Sequence, residues 1–228
     1  MKKVHRFIIQ NLSLPESGEM TVVGDVFSQM KNVLKLEPGE EVGICDGAGS
    51  EAICRIVSYE KGGARLEIIA LEKESTPSRK LSLFCAILKN ENLEWVVQKA
   101  SEIGACRIIP IITDRTIKTG IRKDRLQSIA KEAVELAGRS NLVEILDPVN
   151  FKEALDMISG GWFMEASGVA SKDAASCDSV FVGPEGGWSE KEINQAKLAK
   201  LTFVSLGENV LRAETAATLA VFEALQKN

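Results

Sequence analysis

The residues best placed to do chemistry stand in two short runs near the C-terminus. Gly183-Pro184-Glu185-Gly186-Gly187-Trp188 follows an apolar stretch at 179–182 and precedes Ser189-Glu190-Lys191-Glu192. The latter is a capping-box pattern, in which Ser189 accepts from the Glu192 N–H and the Glu192 carboxylate reaches back. Glycines in such a turn let backbone approach a ligand closely. The run is neither G-x-G-x-x-G nor a Walker loop, so it signals neither a dinucleotide nor a triphosphate. Taken alone, a tight strand-to-helix turn explains it as well. The second run, Leu206-Gly207-Glu208-Asn209-Val210-Leu211-Arg212, leads straight into Ala213-Glu214-Thr215. Arg212 and Glu214 thus stand where an apolar helix begins, and a buried charge pair is costly unless it is functional or mutually satisfied. Two glycine loops at strand ends, with charge beside them, argue for a site more strongly than either alone.

A third feature is basic. Residues 115–125 hold Arg115, Lys118, Arg122, Lys123 and Arg125 against the single acid Asp124, in a chain of net charge −4. Such a loop suits phosphates, although a solvated loop is an equally simple reading. Lys2, Lys3, His5 and Arg6 form a weaker cluster, and His5 is the only histidine. A histidine-based triad therefore has few places to be. The five cysteines are scattered, odd in number and contain no C-x-x-C pair. That disfavours a zinc site or a disulfide framework and suits a reducing cytoplasm. No apolar stretch approaches the ~18 residues of a membrane span, and the N-terminus lacks a signal-peptide core.

The elements that must position these residues fall into two grammars. Up to about residue 71 the chain reads as strands at 5–9, 41–45, 51–59 and 65–71 and a helix at 26–36. Turns at Asp46-Gly47 and Gly62-Gly63 give hairpin signals. This is a small, mainly antiparallel barrel. Residues 72–78 are polar and aperiodic, a linker. From 80 onward, strands at 81–88, 106–112, 143–146, 162–165, 179–182 and 202–206 alternate with helices at 91–103, 123–137, 151–158, 190–200 and 212–225. Alternation of this kind implies a mostly parallel sheet covered on both faces. Ligands of such sheets bind at the carboxyl ends of the strands. The last helix, apolar nearly all round, belongs in a core or an interface.

With these motifs in view, the chain resembles the ribosomal RNA small-subunit methyltransferase E family. Gly183-Pro184-Glu185-Gly186-Gly187, Leu206-Gly207 and Leu211-Arg212-Ala213-Glu214-Thr215-Ala216 carry the resemblance at their spacing. Residues 94–104, Asp114-Arg115-Thr116, 132–135, Gly138-Arg139-Ser140, His5-Arg6-Phe7 and Asp46-Gly47-Ala48-Gly49 add to it, over nearly the whole chain. The resemblance implies an α/β fold: a small PUA-like RNA-binding β-barrel over 1–72, then a SPOUT-type methyltransferase domain over 80–228, with a parallel sheet and a C-terminal trefoil knot. It implies a cytoplasmic homodimer that transfers methyl from S-adenosylmethionine to N3 of a uridine in 16S ribosomal RNA, without a metal. The substrate is ribosomal RNA or the small subunit. Carried over, the cofactor residues are Glu165, Gly183, Glu185, Gly186, Gly187, Leu206, Gly207, Asn209, Val210 and Leu211. Asn209, Gln29 and Lys35 stand where family members usually have other residues.

Uracil N3 lies on the Watson–Crick edge and carries an imide proton. It must be unpaired to react, and the proton must leave. Arginine stays protonated, so Arg212 is expected to donate to the developing charge and Glu214 to accept the proton. RNA contacts are expected from Arg115, Lys118, Arg122 and Arg139 of the methyltransferase domain and from Lys3, Arg6, Lys31 and Lys35 of the barrel. The alternatives are a methyltransferase of this architecture with another RNA target, and a non-catalytic RNA-binding protein.

Overall fold

The computed structural model describes residues 4–73, 80–89, 91–117 and 119–227; Lys3 and Lys118 lie outside them. Cα proximity divides the chain into two units, Met1–Ser78 with Val134–Leu142, and Arg79–Ala133 with Val143–Asn228.

In the first unit β1 (His5–Ile8), β2 (Gly18–Val23), β3 (Glu41–Cys45), β4 (Ser50–Glu60) and β5 (Gly63–Lys73) form one sheet in the order β1-β3-β4-β5-β2. Only β1 and β3 run parallel. Both edge strands supply side chains to a single core, Phe7 from β1 and Val22 from β2, alongside Val42, Ile44, Ile56 and Leu66. Sharing one core between the two edges wraps the sheet around it. The β3–β4 turn is set by Asp46, whose Oδ1 accepts from the N–H groups of Ala48 (2.7 Å) and Ser50 (3.0 Å).

The expected helix at 26–36 is shorter and changes type. It begins as α1 (Gly24–Ser28) and widens into a π-turn over Gln29–Val33, where the Leu34 N–H reaches the Gln29 carbonyl at 2.9 Å. Lys35 then takes a left-handed φ of 52° and ends it. Strand β2 was not expected from sequence, because only Val22 of its six residues is buried. The segment 134–142 completes this unit. Glu135 Oε1 accepts from the Ile8 N–H at 2.7 Å, and the Leu142 N–H donates to the Gly47 carbonyl at 3.0 Å.

The second unit is a parallel sheet. Its strands are β6 (Ser82–Ala86), β7 (Arg107–Ile112), β8 (Glu144–Ile145), β9 (Val149–Asn150), β10 (Trp162–Ala170), β11 (Ser179–Val182) and β12 (Thr202–Ser205), in the order β12-β10-β11-β6-β7-β8 with β9 also on β7. Strands β6 and β11 are buried at every residue, as central strands covered on two faces must be. Pro110, which has no N–H to give a ladder, stands at the gap in β7 between the pairings with β8 and β9. The helices are α2 (Asn92–Ile103), α3 (Lys123–Ala137), α4 (Phe151–Asp156), α5 (Glu190–Leu198) and α6 (Ala213–Leu225). The last turn of α3 falls in the first unit. Aromatic rings fill the core beside β11: Phe84 stacks on Phe181 (centroids 4.4 Å apart), and Phe163 stacks on Trp188 (4.4 Å).

Helix α6 is apolar nearly all round but is not buried all round. Small residues Ala213, Ala217, Ala220 and Ala224 face inward with Val221, while Leu219 and Phe222 are exposed.

Candidate functional site

The site is built at the carboxyl ends of β6, β7, β11 and β12, beside the middle of β10. The 183–189 loop leaves β11 and is shaped first by packing. A Cβ at Gly183 would lie 2.9 Å from Cε2 of Trp188, too close for any side chain. Trp188 cannot yield easily, because it is buried against Phe163 and Phe151 and its Nε1 donates to the Met164 carbonyl at 3.0 Å. The tryptophan is thus held in place by packing while it also borders the cavity described below, and it is the reason for the first glycine. The Gly187 N–H closes a turn onto the Pro184 carbonyl at 2.8 Å. The capping box forms as its sequence pattern requires, with Ser189 Oγ accepting from the Glu192 N–H and Glu192 Oε2 from the Ser189 N–H.

The neighbouring strand-end loops grip this turn. Glu185 Oε1 accepts from the Lys89 N–H after β6 at 2.9 Å. After β7, Arg115 Nη1 donates to the Gly186 carbonyl at 2.7 Å. Glu192, buried to 1% exposure, also accepts from the Asp114 N–H at 2.9 Å. Ser189 Oγ donates to Asp114 Oδ2 at 2.7 Å.

Beyond β12, Gly207 turns the chain at φ 125°, a conformation open to glycine and few others. The loop then runs through Val210, 96% exposed, to Arg212 at the N-cap of α6. The sequence suggests a buried Arg212–Glu214 pair, but only half of that holds. The Arg212 side chain is 86% exposed, the Glu214 side chain 14%, and Nη1 to Oε1 is 4.0 Å. Helix α6 starts one residue after Arg212, so the arginine leaves the helix axis toward solvent while Glu214 in the first turn points inward. Glu214 Oε2 is buried without a hydrogen-bond partner.

A cavity of about 620 Å³ opens between these loops. Glu165, Gly183, Glu185, Gly187, Val210, Leu211, Arg212 and Glu214 line it, all sequence-derived candidates. Gly186, Leu206, Gly207 and Asn209 do not line it; Gly186 has its carbonyl turned to Arg115, and Gly207 sits at the turn that delivers Val210 and Leu211. Asn92, Met164 and Ala166 line it without having been singled out. Met164 and Ala166 flank Glu165 on β10, which continues to Ala170 through an irregularity after Met164 rather than ending at Glu165. A second cavity of about 610 Å³ adjoins it and shares Asn92, Arg212 and Glu214.

The Ser167 hydroxyl and N–H hold the Glu165 carboxyl below its usual range. Burial, helped by Glu185 and Glu214, pushes the Cys85 thiol up to about 12, which leaves it protonated and no nucleophile. Among the described residues, no group of three or more His, Cys, Asp and Glu side chains could hold a metal ion, and no helix is long and apolar enough to cross a membrane.

The basic candidates are dispersed. Arg6 turns onto Glu51, with Nε 2.9 Å from Oε1. The Lys31 ammonium lies 5.6 Å from the ring centroids of both Phe27 and Tyr59. Arg122 shares Glu94 with Arg125, and the Arg125 hydrogen bond holds the Glu94 carboxyl below its usual range. Arg139 belongs to the first unit rather than the second.

Set beside known proteins, residues 74–225 match the model of an RNA methyltransferase domain and residues 25–69 that of an RNA methyltransferase PUA domain. Ribosomal RNA small subunit methyltransferase E of Bacillus subtilis is 25% identical over 91% of this chain and 90% of its own. The protein of that name from Rickettsia conorii is 26% identical over 96% and 94%. Among solved structures, a ribosomal RNA small subunit methyltransferase E from Neisseria gonorrhoeae, bound to S-adenosyl methionine, superposes with a TM-score of 0.87 at 29% identity. That likeness covers 96% of this chain and 95% of the other.

Proposed function

We propose that this chain, which belongs to the RNA methyltransferase domain family, transfers a methyl group from S-adenosylmethionine to N3 of a uridine in small-subunit ribosomal RNA. The observation that carries the reading is the cavity itself, enclosed by the pinned 183–189 loop and the 210–214 run, with Arg212 and Glu214 in its wall. The residues suit the methyl donor. Met164, Val210 and Leu211 offer apolar contact, and Glu165 stays ionised to accept from hydroxyls. Bound there, S-adenosylmethionine supplies an electrophilic methyl on positively charged sulfur. Gly183, Glu185, Gly187, Val210 and Leu211 would hold it, with Gly186, Leu206, Gly207 and Asn209 shaping the loops behind them.

The chain's own residues do the rest. Glu214 Oε2 takes the imide proton of an unpaired uracil, since it is an acceptor with no other partner. The exposed guanidinium of Arg212 donates to the uracil carbonyl as negative charge builds there. Holding N3 in line with the methyl carbon contributes up to about 7–11 kcal/mol. RNA contact is assigned to Lys31 and Lys35 of the PUA-like RNA-binding domain proposed for residues 1–72, to Arg139 in the 134–142 segment of the first unit, and to Arg122 in the second. Lys3 and Lys118 belong to the same assignment. Arg6 joins it through donors not spent on Glu51, whereas Arg115 is turned to the Gly186 carbonyl. A homodimer through α6 would cover Leu219 and Phe222, and a trefoil knot would thread the 206–212 loop beside 183–189. Such an enzyme works in the cytoplasm, where ribosomal RNA is.

The test is Glu214→Gln with saturating donor and RNA. Transfer should fall at least about 100-fold while calorimetry shows donor binding within a few-fold of wild type. Unchanged rate and pH profile would remove Glu214 as the base.

A further inference from the structure

Arg115 has two possible roles. Its place in a basic loop suggests a phosphate contact; its geometry suggests something else. Nη1 donates to the Gly186 carbonyl at 2.7 Å, and a Cβ at Gly186 would lie 3.5 Å from both Cβ and Cδ of Arg115, so the aliphatic stem lies along the glycine loop. The turn that carries the arginine is held by three hydrogen bonds. The Thr116 N–H donates to the Thr113 carbonyl at 3.0 Å, and the Thr113 N–H to Thr116 Oγ1 at 2.9 Å. The Asp114 N–H is held by Glu192, a carboxylate with 1% exposure inside the N-terminal turn of α5. Its other oxygen holds the Ser189 N–H at 2.8 Å. One buried carboxylate thus ties the turn that carries Arg115 to the end of the loop that Arg115 grips. Neither Arg115 nor Glu192 lines the cavity.

We infer that Arg115 and Glu192 are positioning residues, a clasp that holds the 183–187 backbone in the shape that accepts the methyl donor. The inference rests on the function proposed above. With the carbonyl of Gly186 fixed, Gly187 and Glu185 on either side present constant walls to the cavity. Without the clasp, a run of Gly-Gly has many conformations, and the donor must order it on binding. The cost falls on donor affinity and not on the chemical step.

The experiment uses the full-length protein with Arg115→Met, Arg115→Lys and Glu192→Gln. Lysine can still donate to Gly186; methionine keeps the stem and loses the bond. Glutamine at 192 replaces an acceptor by a donor facing an N–H. For Arg115→Met we expect S-adenosylhomocysteine, titrated by calorimetry, to bind about tenfold more weakly. The KM for the methyl donor should rise by a like factor with kcat at saturation within twofold. Arg115→Lys should recover most of the loss, and Glu192→Gln should weaken binding as Arg115→Met does. The slope of log RNA affinity against log salt should stay as in wild type.

A slope shallower by about one contact with donor affinity unchanged would overturn the inference and make Arg115 a phosphate ligand. Unchanged donor affinity in both Arg115→Met and Glu192→Gln would overturn it too. Should Glu192→Gln not fold, the two Arg115 variants decide alone, since that side chain reaches the loop from its surface. If wild type binds no S-adenosylhomocysteine, the proposed function fails instead. The clasp is then read from amide exchange over 183–189, which Arg115→Met must accelerate for the inference to stand.

Discussion

Replacing Gly183 by alanine tests whether packing behind the site, rather than loop flexibility, dictates its shape. The added methyl would stand 2.9 Å from Cε2, 3.1 Å from Nε1 and 3.2 Å from Cδ2 of Trp188. Carbon atoms in comfortable contact lie about 3.5–4.0 Å apart, so the ring or the backbone must retreat by roughly 0.5 Å or more. The ring has little room. Phe163 is stacked on it at 4.4 Å, Phe151 lies at 5.2 Å, and the Nε1 bond to Met164 is 3.0 Å long. Overpacking of this kind costs about 1–3 kcal/mol. For a chain of this size each kcal/mol lowers the melting temperature by about 2–4 °C, so the fall should be roughly 2–12 °C. Calorimetric melting of the two proteins without ligand measures it. Because Met164 lines the cavity, the shift should also weaken donor binding in isothermal titration. Trp188→Ala removes the ring atoms that clash, so alanine at 183 should cost less in that background. An unchanged melt in Gly183→Ala, or strict additivity in the double variant, would refute the argument.

Two further expectations follow from the same geometry. The Ser167 hydroxyl helps hold the Glu165 carboxyl low, so its stabilising effect is present above the unfolded carboxylate pKa of about 4.3 and is lost as pH falls through the lower folded value. Ser167→Ala should therefore be less stable than wild type at pH 7 and converge on it in acid; a pH-independent difference in melting temperature would contradict this. On α6, Leu219→Lys with Phe222→Lys should convert a dimer into monomers in sedimentation, and wild type sedimenting as a monomer at micromolar concentration would defeat the dimer outright.

Much of the scaffold was legible because burial and local propensity agree there. Strand β11 and helix α3 lie where the apolar run and the 3.6-residue stripe put them, and the β11–α5 capping box is visible as four residues of sequence. The misreadings have physical causes. Strand β2 is an edge with one buried side chain, so it carries almost no alternation. Residues 26–36 look like one helix because Val26 and Met30 share a face, while the π-turn is a backbone adjustment that leaves that spacing intact. The residues of the cavity wall divide in the same way. Gly183, Glu185, Gly187, Val210 and Leu211 are marked by glycine loops and by resemblance; Met164 and Ala166 are there because β10 runs past Glu165. No pattern in the sequence tells that Arg115 turns to Gly186, since a basic loop looks alike whether it faces phosphate or backbone.

The most direct trial of the account is to incubate the purified protein with isotopically labelled S-adenosylmethionine and small-subunit ribosomal RNA, then digest the RNA and separate its nucleosides by mass spectrometry. The label should appear in 3-methyluridine, and in Glu214→Gln it should be nearly absent. Label in a different nucleoside, or in none while the donor is bound, would contradict it.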